Sequence, residues 1–285
     1  MGWIDLEGAV NARDVGGLPT IDGRTTRSGV LLRSDNLQDL TPADVTLLVD
    51  ELGVQTVVDL RSTGEVHLAG PGPLKGAGLV HHHLSLIPEW DGEPDEAEVE
   101  RALDVTAHES TGEAHVDERA VPGSLPQLPA PAEEKDPTDL GDHYLGYVRD
   151  APEGIAQALK VLADPSSGPT LVHCAAGKDR TGVVVALALS LAGVTRDAVV
   201  ADYVRSAERA DRILQRLLST DAYGPGLANV SVRDITPVAS SMEEFLDAVD
   251  RHYGGPHGLA LSLGVTEEEV ARLGVRLVGT SPIAR

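Results

Sequence analysis

The segment from Leu171 to Gly182 constrains this chain more than any other part of it. Its sequence, LVHCAAGKDRTG, places a short apolar strand directly before a tight loop, and an apolar helix from about Arg180 to Leu191 follows. Successive backbone N–H groups in a loop between a strand and a helix N-terminus point inward, and with the helix dipole they attract an anion. Gly177 lets the loop curl without a Cβ clash. The segment therefore predicts an α/β architecture with an anion cradle at the end of a buried strand.

Cys174 and Arg180 stand at the two ends of this loop, with five residues between them. The N–H groups that attract an anion also stabilise a thiolate, so we expect Cys174 to be a nucleophile at neutral pH. Arg180 can hold two phosphate oxygens in a bidentate fork and balance the charge of a transition state. Thr181 is placed to donate to the sulfur. A buried structural cysteine is the usual role of a lone Cys, but it leaves the rest of the pattern unexplained.

The candidates for binding a substrate phosphate are the backbone of the loop and two of its side chains: Ala175, Ala176, Gly177, Lys178 and Arg180. A second cation beside Arg180 favours substrates with more than one phosphate. The alternative role for Lys178 is that of a solvated loop lysine paired with Asp179.

The loop resembles that of the cysteine-dependent protein tyrosine phosphatases, and more narrowly of a bacterial tyrosine and lipid phosphatase branch with the sequence HCxAGKDRTG. Four further blocks look similar to this family: NARDVGG at 11–17, RSD at 33–35, VDLR at 58–61 and ADY at 201–203. The resemblance implies a tyrosine-phosphatase-like fold with a central mixed sheet of about four or five strands and helices on both sides. It also implies hydrolysis of phosphate monoesters through a phospho-cysteine, with no metal and no organic cofactor.

Two regions of the sequence offer an acid that could protonate the leaving group. Many similar enzymes use an acid on a movable loop, and here Glu89 or Asp91 follows a predicted strand. Asp179 lies inside the cradle, and the branch that the chain resembles is thought to use this acid, so we favour it. Its alternative role is to orient Lys178 or to bind the loop backbone.

Two polar residues near strand ends are predicted to support the loop. The resemblance suggests that His173 hydrogen-bonds the loop and steadies the thiolate. Asp59, with Arg61, either faces the site or braces its loops through salt bridges. His81, His82 and His83 carry no metal in our interpretation, because only the first and third share a face of a strand.

Short strands are predicted at 30–32, 55–60, 79–86 and 170–173, and residues 1–28 are interpreted as turns. Long helices are predicted at 196–218, 241–253 and 266–273. We interpret residues 1–285 as a single phosphatase domain with a helical region at about 196–279. Within the helix at 196–218, Arg205, Arg209, Arg212 and Arg216 form a stripe. This helix is interpreted either as a lid that attracts anionic substrate or as a solvated face paired with acids.

Residues 89–139 differ in composition from the rest of the chain. They hold sixteen Asp or Glu against three Lys or Arg, together with clustered prolines. Such a segment buries little apolar surface, so we predict a flexible surface insertion. We assign it no function.

The charge of the whole chain limits its partners. A formal charge of −22 disfavours binding to nucleic acid or to an anionic membrane. No run of 18 or more apolar residues is present, so no stable membrane insertion is expected. The single cysteine rules out an intrachain disulfide, and with no signal-like N-terminus it favours a cytoplasmic protein.

The partners that remain are phosphorylated protein, lipid or small-molecule substrates; the sequence indicates no oligomeric state. A phosphatase acting on phosphotyrosine, with phosphoserine, phosphothreonine or phosphoinositide as further substrates, fits best. Two alternatives stay open: a sugar or nucleotide phosphatase of metabolism, and a non-catalytic phosphate-binding module. The second has no need of a thiolate, so an intact Cys174 argues against it.

Overall fold

The structure is a computed structural model that describes residues 2–87 and 140–280, with the side chains of 140–142 left out. The predicted insertion at 89–139 lies outside the described residues, and with it the candidate acids Glu89 and Asp91. The single-domain interpretation of 1–285 stays a prediction.

Within the described ranges, five short strands form one sheet. They are β1 (Arg13–Asp14), β2 (Leu31–Ser34), β3 (Thr56–Asp59), β4 (Val80–His83) and β5 (Thr170–His173). Their order is β1-β2-β5-β3-β4, and all neighbours are parallel except β1, which runs antiparallel to β2. The predicted mixed sheet is confirmed. The interpretation of residues 1–28 as turns alone was wrong, because Arg13 and Asp14 pair with Arg33 and Leu32.

The register brings polar residues together at one edge of the sheet. The carboxyl ends of the four parallel strands form a single row: Ser34, His173, Asp59 and His83. Loops that leave this edge therefore start side by side, which is where open α/β sheets build their ligand sites. The predicted loop after His173 leaves from the middle of this row.

Apolar cores cover both faces of the sheet. Because side chains alternate along a strand, neighbours point to opposite faces. Leu31, Val58 and Val172 pack into the larger core. On the other face Leu32, Val57 and Leu171 pack with residues of the N-terminal segment and of the first helix. The expectation of helices on both sides is confirmed.

The α-helices are α1 (Pro42–Thr46, continued by a π-helical turn over Leu47–Glu51), α2 (Thr63–Ala69), α3 (Leu140–Asp150), α4 (Pro152–Ala163), α5 (Arg180–Leu191), α6 (Arg196–Val204), α7 (Ala210–Leu218), α8 (Val232–Ile235), α9 (Ala239–Tyr253), α10 (Pro256–Ser262) and α11 (Glu267–Val278). Short 3-10 turns lie at Pro73–Gly76, Pro165–Ser167, Arg205–Arg209 and Pro225–Leu227. Within the described part of the chain, no helix is both long enough and apolar enough to cross a membrane.

The predicted helix at 196–218 is not continuous. A 3-10 turn over Arg205–Arg209 separates α6 from α7. At this turn the guanidinium groups of Arg205 and Arg209 lie 4.9 and 4.6 Å from the centre of the Trp3 ring, and the Trp3 indole N–H donates to Glu208 at 3.1 Å. The helical repeat alone does not reveal the break, since the contacts at the turn come from the far end of the chain.

Candidate active site

The loop between β5 and α5 bends sharply at Gly177. This residue has a φ of +70°, in the left-handed region that side chains other than glycine rarely adopt. A Cβ at this position would stand 2.4 Å from the backbone oxygen of Ser34. The close approach to the end of β2 and the sharp bend therefore both require glycine.

Three consecutive carbonyl groups of the loop are held outward by residues from other parts of the chain. The donors are Asn36 N to Ala175 O at 3.0 Å, Asn11 Nδ2 to Ala176 O at 2.9 Å and Arg33 Nη2 to Gly177 O at 2.7 Å. One loop amide, Gly177 N, donates to Cys174 Sγ at 3.3 Å, and with the three carbonyl oxygens bound elsewhere we expect the other loop N–H groups to face the sulfur as well. An arrangement of inward N–H groups suits an anion.

A buried ionic network holds the donors themselves in place. Arg33 Nη1 donates to Asp202 at 2.6 Å, and Arg13 Nε donates to the other oxygen of Asp202 at 2.9 Å. Burial by itself would raise the pKa of Asp202, but Arg13 and Arg33 outweigh it and lower that pKa to about 2. Asp202 therefore stays ionised and ties the loop to α6.

Cys174 and Thr181 lie at the centre of this arrangement. Cys174 is only 1% exposed. Thr181 Oγ1 is fully buried and has no hydrogen-bond partner among the described residues, so its donation to the thiolate or to the leaving sulfur of a phospho-cysteine stays a prediction. The thiol thus meets the amide of Gly177 and not the hydroxyl of Thr181.

Arg180 forms a bidentate ion pair with Glu65. Its two terminal nitrogens donate to the two carboxylate oxygens at 2.5 and 3.0 Å, and both side chains are buried. Burial would lower the pKa of Arg180, but the charge of Glu65 and its hydrogen bonds raise it well above its ordinary value. Glu65 also caps α2, since it accepts from Ser62 N at 2.7 Å. The guanidinium is therefore charged and held in one orientation.

Asp179 is fixed by two donors on one oxygen. Lys178 Nζ and the hydroxyl of Tyr144 donate to Asp179 Oδ1 at 2.7 and 2.6 Å. The hydroxyl of Tyr203 lies 2.7 Å from that of Tyr144. The pairing of Lys178 with Asp179, which the sequence left open, is present in the structure.

His173 and Asp59 lie side by side beneath the loop. His173 Nε2 is 3.6 Å from Asp59 Oδ2, and its Nδ1 is 3.4 Å from Cys174 O. Burial lowers the pKa of His173 to about 4, so this imidazole is neutral at neutral pH. Asp59 makes its strong ion pair with Arg61 at 2.7 Å. Of the two alternatives for Asp59, the structure shows the bracing salt bridge.

The helix α7 covers the outer side of the loop. Ala175 and Ala176 pack into a cluster with Ile213, Leu214 and Leu217. The predicted arginine stripe meets the N-terminal part of the chain: Arg205 and Arg209 contact Trp3, and Arg216 donates to Asp35 at 2.7 Å and to Asn36 O at 2.9 Å. Arg205 and Arg209 also lie 3.8 and 3.7 Å from the acids Glu208 and Asp5. These three arginines are thus paired with acids, as in the alternative to a substrate-attracting lid, but they are largely buried and not solvated; a lid role stays a prediction.

Several functional candidates were not identified from the sequence: Glu65, Asn11, Arg33, Asp202, Tyr144 and Tyr203. Four of these residues lie in three of the family-like blocks, at 11–17, 33–35 and 201–203. The sequence thus indicated that these positions resemble the family but assigned them no role. Glu65 is the acidic member of a capping-box pattern that begins at Ser62, and such a pattern predicts a helix start and no ion pair. Tyr144 carries no local signal.

A metal centre has no support in the described ranges. They contain no group of three or more His, Cys, Asp or Glu side chains that could hold a metal ion. His81 and His83 instead have backbone partners, since their Nε2 atoms lie 3.0 and 2.8 Å from Leu74 O and Arg61 O.

Comparison with known proteins yields one family model and several similar sequences. The model of the tyrosine phosphatase family matches residues 4–279. The triple specificity protein phosphatase PtpB of Mycobacterium tuberculosis is 30% identical over 292 residues, which cover 96% of this chain and 99% of that protein. A tyrosine-protein phosphatase of Nostoc commune is 32% identical over 146 residues, which cover 50% of each chain. The family match and the first similarity extend over nearly the whole chain.

Proposed function

This chain belongs to the tyrosine phosphatase family and is a phosphatase, and from that premise we propose that Cys174 is the nucleophile with which it hydrolyses phosphate monoesters. The observation that carries the proposal is the loop itself. Three loop carbonyls are bound from outside, an amide N–H donates to the Cys174 sulfur, and Arg180 is held charged at the start of α5.

In the first step the thiolate of Cys174 attacks phosphorus in line with the ester oxygen. The sulfur–phosphorus bond forms as the phosphorus–oxygen bond breaks, and the electron pair leaves with the ester oxygen. Loop amides from Ala175 to Lys178 and the guanidinium of Arg180 bind the three equatorial oxygens, whose charge they stabilise. Glu65 keeps the Arg180 guanidinium charged and oriented throughout.

Asp179 is the general acid in this proposal. It lies at the N-terminus of α5 beside the loop, and its carboxyl group in the protonated form can give its proton to the leaving oxygen. In the second step the same group accepts a proton from the water that attacks phosphorus, and the thiolate leaves. Glu89 and Asp91, which lie outside the described residues, remain the alternative acids.

Phosphotyrosine in proteins is the substrate class that we favour. The M. tuberculosis relative is named a triple specificity phosphatase, which supports extending the proposal to phosphoserine and phosphothreonine. The extension to phosphoinositides rests on Lys178, since a second cation in the loop favours substrates with more than one phosphate. Against lipid substrates stands the formal charge of −22, which repels an anionic bilayer. A cytoplasmic location stays a prediction from the sequence.

The proposal is tested by phosphate release from a panel that holds a phosphotyrosine peptide, phosphoserine and phosphothreonine peptides, several phosphoinositides and common sugar phosphates. Wild type is compared with Cys174→Ser and Arg180→Ala. A matched control is Arg272→Ala, which removes an exposed arginine paired with Glu268. We expect both loop variants to lose at least 100-fold in kcat/KM and the control to retain full activity.

Mass spectrometry of the rapidly quenched reaction checks the intermediate directly. A phosphate adduct on Cys174 is expected in the wild type and is absent from Cys174→Ser. Hydrolysis by the Cys174→Ser variant at the wild-type rate would overturn the assignment of the nucleophile. Release from sugar phosphates alone would favour a metabolic phosphatase.

A further inference from the structure

The two donors to Asp179 bind the same carboxylate oxygen, so the two oxygens of this carboxyl group have different surroundings. Lys178 and Tyr144 both bond Oδ1. No donor among the described residues bonds Oδ2, and the Asp179 side chain keeps 7% of its exposure. A proton on Oδ1 would have to displace one of these donors, so a proton carried by this carboxyl group belongs on Oδ2.

The direction of the hydrogen bonds at Tyr144 follows from the number of protons. A phenol has one proton to donate, and an ionised carboxylate only accepts. Tyr144 therefore gives its proton to Asp179, and Tyr203 gives its own to the oxygen of Tyr144 at 2.7 Å. Burial, followed by the nearby charge of Asp179, raises the pKa of Tyr144 well above its ordinary value, which keeps it a donor.

Packing restrains both tyrosines, Tyr144 and Tyr203, whose hydroxyl groups form this hydrogen-bonded chain. Tyr144 is 1% exposed on α3 and meets the rings of Tyr203 and Phe245 edge to face, with centroids 6.1 and 6.2 Å apart. Tyr203 is on α6, next to Asp202, and a Cβ at Gly182 of α5 would stand 3.1 Å from its ring. The helix that anchors the loop through Asp202 thus also anchors Asp179 through Tyr203 and Tyr144.

We propose that Tyr144 is a positioning residue for Asp179, which with Lys178 fixes Oδ1 so that the proton passed to the leaving oxygen is carried on Oδ2. Tyr203 orients Tyr144 from behind. This inference rests on the proposed role of Asp179 as the general acid. It adds a residue from α3, outside the loop, whose effect falls on proton transfer and leaves nucleophilic attack intact.

The test compares two substrates that differ in their need for a proton. A nitrophenyl phosphate releases an acidic phenol that leaves as an anion, whereas a phosphotyrosine peptide releases a more basic phenol that benefits from an acid. The variants are Tyr144→Phe, Tyr203→Phe and Asp179→Asn, with Tyr253→Phe as the matched control on the half-exposed end of α9. Thermal unfolding is measured for each.

We expect Asp179→Asn to lower kcat/KM for the phosphotyrosine peptide by about 100-fold and for the nitrophenyl ester far less. Tyr144→Phe should lower the peptide value by about 10-fold, as for one lost hydrogen bond to a charged group, and leave the nitrophenyl value within about twofold. Tyr203→Phe should show the same selectivity with a smaller loss. In the double variant with Asp179→Asn, Tyr144→Phe should add nothing further.

The outcomes separate the inference from its premise. If Asp179→Asn affects the two substrates equally, Asp179 is not the acid and both ideas fall. If Asp179→Asn discriminates between them but Tyr144→Phe does not, the acid stands and the role of Tyr144 is overturned. An equal loss on both substrates in Tyr144→Phe, with a lowered unfolding midpoint, would show a role in folding only and would also overturn it.

Discussion

Both terminal nitrogens of Arg180 bind the carboxylate of Glu65, although the two residues are 115 positions apart in the chain. The arginine that we propose binds the substrate phosphate is thus held by a residue that also caps α2, the helix that follows β3. Because the pair is buried, removal of either partner leaves an uncompensated charge inside the protein.

Glu65→Ala should therefore lower both stability and activity. We expect the free energy of unfolding to fall by about 3–5 kcal/mol, the cost of breaking a buried ion pair from one side. Urea unfolding measures the first effect and phosphate release the second. Glu65→Gln, which retains an acceptor for the cap, should lose less stability. The control Glu268→Ala, at an exposed pair with Arg272, should leave the unfolding midpoint unchanged. Equal midpoints for Glu65→Ala and wild type would contradict the structure.

Gly177→Ala should strongly reduce activity. The main cause is a steric clash of the new Cβ with the backbone of other residues, which comes in addition to the strain of a positive φ. Gly78 has a similar φ of +77° but open space around its Cβ position, whereas a Cβ on Gly177 meets backbone atoms at 2.4–2.5 Å. Gly78→Ala should cost about 1 kcal/mol of stability through its φ and keep its activity. We expect Gly177→Ala to lose at least 100-fold in kcat/KM. Comparable activity in the two variants would show that the loop has room for a side chain.

Arg33→Lys should weaken the loop although the charge is kept. Arg33 bridges two groups, since it donates to Asp202 at 2.6 Å and to Gly177 O at 2.7 Å. The compact ammonium of lysine does not reproduce this fork. We expect kcat/KM to fall by about 10-fold or more, as measured with a phosphotyrosine peptide. Arg24→Lys, at a surface pair with Asp22, is the matched control and should behave as wild type. Full activity in Arg33→Lys would mean that the Gly177 carbonyl needs no anchor.

The stability of the protein should decrease at acidic pH because His173 is buried in its neutral form. Burial lowers its pKa in the folded protein to about 4, below the ordinary value of 6.5. The unfolded chain therefore binds a proton between these values that the folded protein does not bind, so stability falls as the pH drops from 6.5 to 4. The loss attributable to His173 amounts to about 3 kcal/mol at most.

Urea unfolding at several pH values in this window measures the effect. His173→Gln should show a flatter dependence than wild type, whereas His67→Gln, at an exposed position on α2, should keep the wild-type dependence. Parallel curves for wild type and His173→Gln would show that this imidazole does not titrate as its burial requires.

Features that depend on neighbours in sequence were predictable. The strand over 170–173, the helix from Arg180 and the bend at Gly177 follow from local patterns, since apolar periodicity and backbone sterics act over a few residues. The clash that a Cβ at 177 would make with Ser34 is a tertiary contact and was not predictable in this way. The prediction of one helix over 196–218 was wrong because contacts with Trp3, about 200 residues away, lie at the break.

The sequence by itself determined the chemistry available to this protein: one cysteine and one arginine at fixed spacing, at the junction of a strand and a helix. Only the tertiary structure decided which groups hold them. Glu65 orients Arg180, Tyr144 binds Asp179 across 35 positions, and Asp202 joins the two arginines that brace the loop. The physical reason is that a side chain's covalent neighbours limit its reach, whereas its partners are set by which helices the shared core packs together.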